Sequence, residues 1–107
     1  MRQTILIRAR SLHRTGRLVP PHARALRAGA VSLRPGEVMG WHSTGTREEL
    51  LIVLEGCVRV ERRSRERLGA MALAAGQSLF LPSRTRHRVV NRSGTAARYI
   101  YITAPIT

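Results

Sequence analysis

Short β-type runs separated by turn residues fill this sequence from residue 29 onward, and they constrain its fold more than any other feature. Apolar residues alternate with polar ones or form brief continuous stretches, and glycine, proline or polar residues close each run. The runs are AVSLR, VMGWHST, ELLIVLE, CVRVERR, RLGAMAL, QSLFLP, RHRVVN and ARYIYITAP. No segment carries the apolar period of a helix of about ten or more residues. The pattern predicts an all-β sandwich or closed barrel.

The amino-terminal part of the chain follows a different pattern. Residues 4–9, TILIRA, alternate apolar and polar side chains and predict a strand, whereas residues 10–28 carry two adjacent prolines, two histidines and several arginines. We expect residues 10–28 to form a surface connection or a loosely held arm. A chain of 107 residues has the size of one domain with one core. We therefore predict a single domain over residues 1–107, with the strand and arm in residues 1–28 and the barrel in residues 29–104.

The charge of the chain is strongly positive, at +13, and all 19 basic residues are arginine. Such a chain attracts nucleic acid, an anionic membrane surface or an acidic substrate, but a surface of solvated arginines also accounts for it. The arginine-rich turn at residues 61–67 includes two glutamates and no aromatic residue, which argues against a nucleic-acid platform. We therefore favour solvated arginines and do not expect a nucleic-acid partner.

The sequence shows few signs of targeting or of redox chemistry. Its longest apolar run, LLIVL at residues 50–54, is much shorter than the about 20 residues of a membrane span. The amino-terminal residues lack the apolar stretch of a signal peptide. These features predict a cytoplasmic protein with no membrane partner. Cys57 is the only cysteine, so an intrachain disulfide and CxxC-type metal or redox motifs are excluded.

Strand parity predicts that His42, Glu49 and His87 point into the barrel. Alternate residues of a strand face the same side, and three arginines in RHRVVN and its preceding turn cannot all enter a small core unpaired. His87 therefore faces inward, and Glu49 shares its face with apolar neighbours. Two imidazoles and a carboxylate are a common metal-binding set. The alternative is that Glu49 pairs with Arg47 or another arginine and that His87 is a satisfied core histidine.

Two motifs at fixed spacing resemble those of the cupin superfamily. The segment PGEVMGWHSTGTREELLIVLEG resembles the first cupin motif, G-x5-H-x-H-x(3–4)-E-x6-G, and the second motif is G-x5-P-x-G-x2-H-x3-N. The matching positions of the first motif are Gly36, His42, Glu49 and Gly56, and those of the second are Gly76, Pro82, His87 and Asn91. The resemblance covers residues 36–91. Two positions depart from it, because Thr44 replaces the second histidine of the first motif and Arg84 replaces a glycine of the second.

The resemblance implies a double-stranded β-helix, the cupin or jelly-roll barrel, made of two antiparallel sheets around an interior metal. Carried over by position, the ligands are His42, Glu49 and His87, and the ion is iron, manganese, nickel or zinc. Thr44 leaves two outcomes open. The three remaining ligands form a triad with additional open coordination positions, or the site is too weak to hold a metal.

The resemblance implies two classes of function. The first is a metal-dependent enzyme, such as a dioxygenase, isomerase or lyase, that acts on a small ligand, and the arginine excess favours an anionic one. The second is a non-catalytic module that binds a sugar or a carboxylate at a degenerate metal site. Thr44, Tyr99 and Tyr101 are candidate pocket residues in either case. The fold alone does not choose between these classes.

The second face of LLIVL is apolar and needs a cover. Leu50, Ile52 and Leu54 lie on the face opposite to Glu49, and either the N-terminal strand or a second subunit covers them. Small single-domain cupins commonly form homodimers. We therefore predict a homodimer, in which residues 4–9 add to the sheet of the partner.

Overall fold

The computed structural model describes residues 9–65 and 67–106, and these residues form nine β-strands and no helix. The strands are β1 (Gly16–Arg17), β2 (Arg27–Leu33), β3 (Val38–Ser43), β4 (Arg47–Glu55), β5 (Cys57–Arg63), β6 (Leu68–Ala74), β7 (Ser78–Leu81), β8 (Arg86–Val90) and β9 (Ala97–Pro105). Each run predicted from residue 29 onward overlaps one of the strands β2 to β9, which confirms the all-β class. In the described part of the chain, no helix is long and apolar enough to cross a membrane.

The strands form two antiparallel sheets that pack face to face. One sheet has the order β1-β2-β9-β4-β7 and the other has the order β3-β8-β5-β6. Strands that are distant in sequence are neighbours in both sheets, as when β9 lies between β2 and β4. The core is a cluster of buried side chains from both sheets, including Val31, Leu51 and Val53 from one and Val60 and Val89 from the other. This arrangement confirms the predicted jelly-roll barrel.

Burial in β4 follows the predicted parity. Glu49, Leu51 and Val53 are buried and face the second sheet, whereas Leu50 and Ile52 are only half-buried on the opposite face. Leu51 and Val53 follow Glu49 on the same face of β4, and their burial fixes the register that keeps Glu49 in the interior.

Two turn positions show why the chain bends where it does. Gly56 has a φ of 74°, and a Cβ atom there would lie 2.5 Å from the carbonyl oxygen of Ala96, so only glycine fits. Arg84 has a φ of 57°, and it is the only non-glycine residue with positive φ in residues 9–65 and 67–106. This is the position at which the second cupin motif has a glycine. Arg84 therefore occupies a left-handed conformation that is unfavourable for a residue with a Cβ atom.

The arm is held against the barrel rather than loosely attached. β1 pairs with β2, the amide of Leu18 donates to the carbonyl oxygen of Ala28 over 2.8 Å, and the amide of Ser32 donates to Oγ1 of Thr15 over 2.9 Å. Backbone hydrogen bonds of this kind extend the five-stranded sheet by one short strand. The strand predicted over residues 4–9 lies outside the described residues, except for Ala9.

Part of the arginine charge is paired or stacked on the outer face of the four-stranded sheet. Nε of Arg59 and Nε of Arg88 lie 3.1 and 2.5 Å from the carboxylate oxygens of Glu61. The hydrogen bond from Arg88, followed by that from Arg59, lowers the pKa of Glu61. The guanidinium carbons of Arg63 and Arg88 also lie 5.6 and 5.0 Å from the ring centroid of Trp41, within the range of cation–π contacts.

Candidate metal centre

Strand pairing brings the two motif histidines together. His42 on β3 and His87 on β8 are direct register partners, and their ring centroids are 4.3 Å apart. Glu49 approaches from β4 in the facing sheet. One potential ligand atom from each of His42, Glu49 and His87 lies within 4.8 Å of the others. Residues separated by up to 45 positions in the sequence thus converge at one point inside the barrel.

Backbone carbonyl groups fix the tautomer of both histidines. Nδ1 of His42 is 2.7 Å from the carbonyl oxygen of Gly40, and Nδ1 of His87 is 3.1 Å from that of Thr85. A carbonyl oxygen only accepts hydrogen bonds, so each Nδ1 must carry the proton. In a neutral ring, Nε2 then carries a lone pair. This backbone support of Nδ1 is the usual arrangement around a histidine that binds metal through Nε2.

Nε2 of His87 is the least satisfied polar atom of the site. The side chain of His87 is 0% exposed, and Nε2 has no hydrogen-bond partner within residues 9–65 and 67–106. The closest acidic atom is Oε2 of Glu49 at 3.4 Å, which is longer than a well-formed hydrogen bond of about 2.9 Å. A buried polar nitrogen without a partner is costly. A cation between His87, Glu49 and His42 would satisfy both this nitrogen and the carboxylate.

Burial and the nearby carboxylate act on His87 in opposite directions. Burial lowers the pKa of His87, but the contact with Glu49, the carbonyl oxygen of Thr85 and the negative charge of Glu49 together raise it above its ordinary value. The interior therefore favours a positive charge at this position. A proton can supply that charge, and so can a metal ion.

Thr44 lines the same cavity, but its hydroxyl is already committed to the backbone. Oγ1 of Thr44 donates to the carbonyl oxygen of Pro82 over 2.7 Å and accepts from the amide of Thr85 over 2.9 Å. These two bonds fasten the end of β3 to the turn that precedes β8. Thr44 thus holds the backbone that carries His87, and it is not a fourth ligand in this structure.

The triad lies in a cavity of about 890 Å³. Tyr99 and Tyr101 line this cavity, and so do several arm residues, namely Arg17, Val19, Pro20, Pro21, Ala23 and Leu26. Burial, with smaller contributions from the charges of Glu49 and Tyr101, raises the pKa of Tyr99, so its hydroxyl remains protonated. The arm therefore forms one wall of the cavity, a role that its sequence did not indicate.

Arg47 also lines the cavity, and it does not pair with Glu49. Its guanidinium group donates from Nε to Oγ1 of Thr103 over 2.8 Å, and from Nη2 to the carbonyl oxygens of Thr103 and Ala25. Burial, together with the charge of Arg27, lowers the pKa of Arg47. The alternative in which Arg47 neutralises Glu49 is therefore wrong, and Glu49 faces the two histidines instead.

These features define a small β-barrel with a histidine- and carboxylate-lined interior, and the model of the cupin domain family matches residues 29–103. The chain belongs to the cupin superfamily. Among proteins with curated descriptions, none matches the sequence significantly.

Solved structures share the fold at low sequence identity. A Cupin 2 conserved barrel domain protein from Salinispora arenicola is 21% identical with a TM-score of 0.73, and the match covers 95% of this chain and 90% of that one. A predicted oxalate decarboxylase from Thermotoga maritima is 19% identical with a TM-score of 0.74, over 86% and 79% of the two chains. Recombinant oxalate oxidase in complex with glycolate is 19% identical with a TM-score of 0.69 over 75% of this chain.

Several of the matched proteins are considerably longer than this chain. It spans 42% of the oxalate oxidase and 51% of a cysteine peptidase from Thevetia peruviana, peruvianin-I. At these identities the likeness concerns the fold, because one fold carries many unrelated activities.

Proposed function

We propose that this cupin binds a divalent transition metal through His42, Glu49 and His87 and is a metal-dependent enzyme of the dioxygenase, isomerase or lyase type. The observation that carries the proposal is the buried Nε2 of His87, which faces Glu49 without a hydrogen-bond partner in the described part of the chain. Two imidazole nitrogens and one carboxylate suit iron, manganese, nickel or zinc. When bound, such an ion acts as a Lewis acid or provides open positions for substrate or oxygen.

The residues around the triad support chemistry on a small ligand. Hydrogen bonds to the carbonyl oxygens of Gly40 and Thr85 hold the two imidazole rings in place, so the donor atoms are organised before a ligand arrives. Tyr99 presents a protonated hydroxyl on the cavity wall and can donate a hydrogen bond to a ligand oxygen. His42 is exposed, which leaves a path from solvent to the triad.

An anionic substrate fits the charge of the cavity. Among the described residues, its lining includes the arginines Arg17, Arg27 and Arg47 and a single carboxylate, that of Glu49. The similar proteins described as an oxalate oxidase and a predicted oxalate decarboxylase act, by those descriptions, on an anionic acid. Both observations support a small carboxylic acid as the class of substrate.

A non-catalytic binding module is the second candidate, and Thr44 favours it. The hydroxyl of Thr44 is committed to Pro82 and Thr85, so the position of the fourth family ligand is lost. The barrel would then hold a sugar or a carboxylate without turning it over.

We also propose a homodimer formed through the outer face of the five-stranded sheet. Phe80 is 55% exposed there, beside its register partner Leu50, and Ile52, Ile100 and Leu54 extend the apolar surface. Burying this surface would stabilise a dimer. Sedimentation equilibrium of Phe80→Glu should give half the mass of the native protein. Leu68→Glu, at an exposed leucine of the other sheet, should leave the mass unchanged, and a monomeric native protein would rule the dimer out.

The metal proposal is tested by elemental analysis and by metal titration of untagged protein purified without chelator. Native protein should contain close to one equivalent of a transition metal or take up one equivalent of added cobalt. Glu49→Gln and His87→Ala should lose that binding while they keep the native circular dichroism spectrum. His13→Ala removes an exposed histidine of the arm and serves as the matched control, with binding unchanged.

Two further results separate the candidates. A bound metal together with turnover or oxygen consumption on small carboxylic acids supports the enzyme. No uptake of manganese, iron, cobalt, nickel or zinc by the native protein would refute the metal site, and the non-catalytic module would then be the better account.

A further inference from the structure

Arg47 is a partly buried cation in the metal cavity without an acidic partner among the described residues. We propose that Arg47, assisted by Arg27, forms an anion-binding subsite beside the triad, and that the ligand of this cavity carries two anionic groups a short distance apart. One group would lie at His42, Glu49 and His87, and the other at the guanidinium group. The proposal rests on the proposed function for the first group, whereas the Arg47 subsite itself does not require a metal.

The hydrogen bonds of Arg47 fix its guanidinium group but do not neutralise it. Nε donates to Oγ1 of Thr103, and Nη2 donates to the carbonyl oxygens of Thr103 and Ala25. All three acceptors are uncharged. Nη1, with its two N–H groups, makes no hydrogen bond within residues 9–65 and 67–106, and it is not among the buried unsatisfied atoms. A held guanidinium with free donors is well suited to bind a carboxylate.

Two other arginines of the β-strands, Arg88 and Arg98, have acidic partners. Nε of Arg88 lies 2.5 Å from Glu61, and Arg98 pairs with Glu55. The carboxylate nearest to Arg47 along β4 on the same face is Glu49, which turns toward His87. A partly buried charge is costly without a counter-charge. An anion supplied by the ligand would offset this cost.

The register of the sheet places the guanidinium group close to the triad. Thr103, which accepts from Nε of Arg47, is the register partner of Glu49 on the neighbouring strand. Cβ atoms of such partners are about 5 Å apart. A ligand that reaches both the triad and Arg47 therefore has its two anionic groups separated by only a few carbon atoms. Short-chain dicarboxylates have this geometry.

The positive charge of the cavity mouth favours a ligand with two negative charges. Arg17 and Arg27 join Arg47 in the lining, and neither lies within 4.0 Å of a carboxylate oxygen among the residues that the structure describes. Three arginines against the single carboxylate of Glu49 leave the lining with a net charge of +2, since 3 − 1 = 2. A bound divalent metal would raise this charge further.

The test measures the binding of malonate by isothermal titration calorimetry to zinc-loaded and to metal-free protein. Arg47→Gln should weaken malonate binding about tenfold or more, because it removes a charge-assisted hydrogen bond, and Arg47→Lys should weaken it less. Arg86→Gln makes the same change of charge on the exposed outer face and should leave the affinity unchanged. The neutral analogue malonamide should bind weakly to every variant. Zinc affinity should be the same in Arg47→Gln and in native protein.

The outcomes distinguish this proposal from the metal site. Zinc binding with a malonate affinity that Arg47→Gln does not change would overturn the subsite and leave the metal proposal intact. Failure to bind zinc, with malonate binding that still depends on Arg47, would refute the metal site and leave the Arg47 subsite intact. Should Arg47→Gln lack a native circular dichroism spectrum, Arg27→Gln is the second variant. Arg27 is exposed and makes no side-chain hydrogen bond in the described part of the chain, so unchanged malonate affinity in that variant also overturns the proposal.

Discussion

Nε2 of His87 and Oε2 of Glu49 face each other 3.4 Å apart inside the barrel, with side chains that are 0% and 9% exposed. Both side chains are almost fully shielded from solvent, so a positive charge between these two atoms lowers the free energy of the folded protein. In metal-free protein a proton can supply that charge, and the contact with Glu49 raises the pKa of His87 against the opposing effect of burial. A metal ion bound by His42, Glu49 and His87 would take the place of the proton.

The first prediction is that the Glu49–His87 contact stabilises metal-free protein at low pH and not at high pH. Because the pKa of folded His87 is raised, its contribution is fully present below the ordinary histidine pKa of about 6.5 and is lost as the pH rises through the folded value. The measurement is urea unfolding of native protein and of Glu49→Gln with chelator present. Native protein should be the more stable of the two, and the difference in the free energy of unfolding should be larger at about pH 5.5 than at about pH 8.5.

Metal binding should depend on pH in the opposite direction. A proton and a metal compete for Nε2 of His87, so cobalt affinity should rise with pH through the folded pKa. If the difference in stability between metal-free native protein and Glu49→Gln does not change with pH, the proposed contact between Glu49 and protonated His87 is contradicted.

The second prediction concerns Thr44. Thr44→Val keeps the shape of the side chain but removes the hydroxyl that bonds Pro82 and Thr85, so it should destabilise the protein by about 1–3 kcal/mol. Chemical denaturation measures this loss. Metal affinity per folded molecule should not change, because the hydroxyl is not a ligand. Ser43→Ala, at an exposed neighbouring position, is the control, and a loss of metal in Thr44→Val at intact fold would show that the hydroxyl is part of the site.

The third prediction is that Asn91 serves the fold and not the metal. Asn91 is 0% exposed, and its Nδ2 donates to the carbonyl oxygens of Leu33 and Thr95 over 3.0 and 2.8 Å. Asn91→Ala leaves both carbonyl groups without this donor and opens a cavity, which should cost about 3 kcal/mol in thermal or urea unfolding. Arg92→Ala removes an exposed side chain next to it and should cost less than about 1 kcal/mol. Similar losses in both variants would argue against the assigned role of Asn91.

The fourth prediction is a stabilising substitution. Arg84 has a φ of 57° and an exposed side chain, so Arg84→Gly relieves backbone strain without loss of a packed side chain. The gain should be about 0.5–1 kcal/mol, since the greater freedom of glycine in the unfolded chain offsets part of the relief. Differential scanning calorimetry should show a higher Tm for Arg84→Gly and a lower one for Arg84→Val. A lower Tm for Arg84→Gly would mean that the arginine side chain stabilises the turn.

Much of the fold was predictable because strands have a period of two and turns have strong residue preferences. The inward direction of Glu49 and His87 followed from the apolar residues beside them and from the outward arginines. Strand parity also placed His42 on an inward face, and the resemblance to cupins then assigned His42, Glu49 and His87 as metal ligands by position. The arm was harder to predict. Its residues show no clear period, and its place depends on hydrogen bonds to β2 and β4 that join distant parts of the chain.

The sequence by itself determined the all-β class, the parity of the strands and three inward polar residues, because local periodicity and turn chemistry encode these directly. Only the tertiary structure decided which atoms meet. Packing of the two sheets set His87 against Glu49, and the pairing of β4 with β9 placed Arg47 beside Thr103. The tertiary structure also committed the hydroxyl of Thr44 to the turn that precedes His87. Side-chain partners of this kind depend on contacts between residues distant in sequence, which the order of neighbouring residues does not specify.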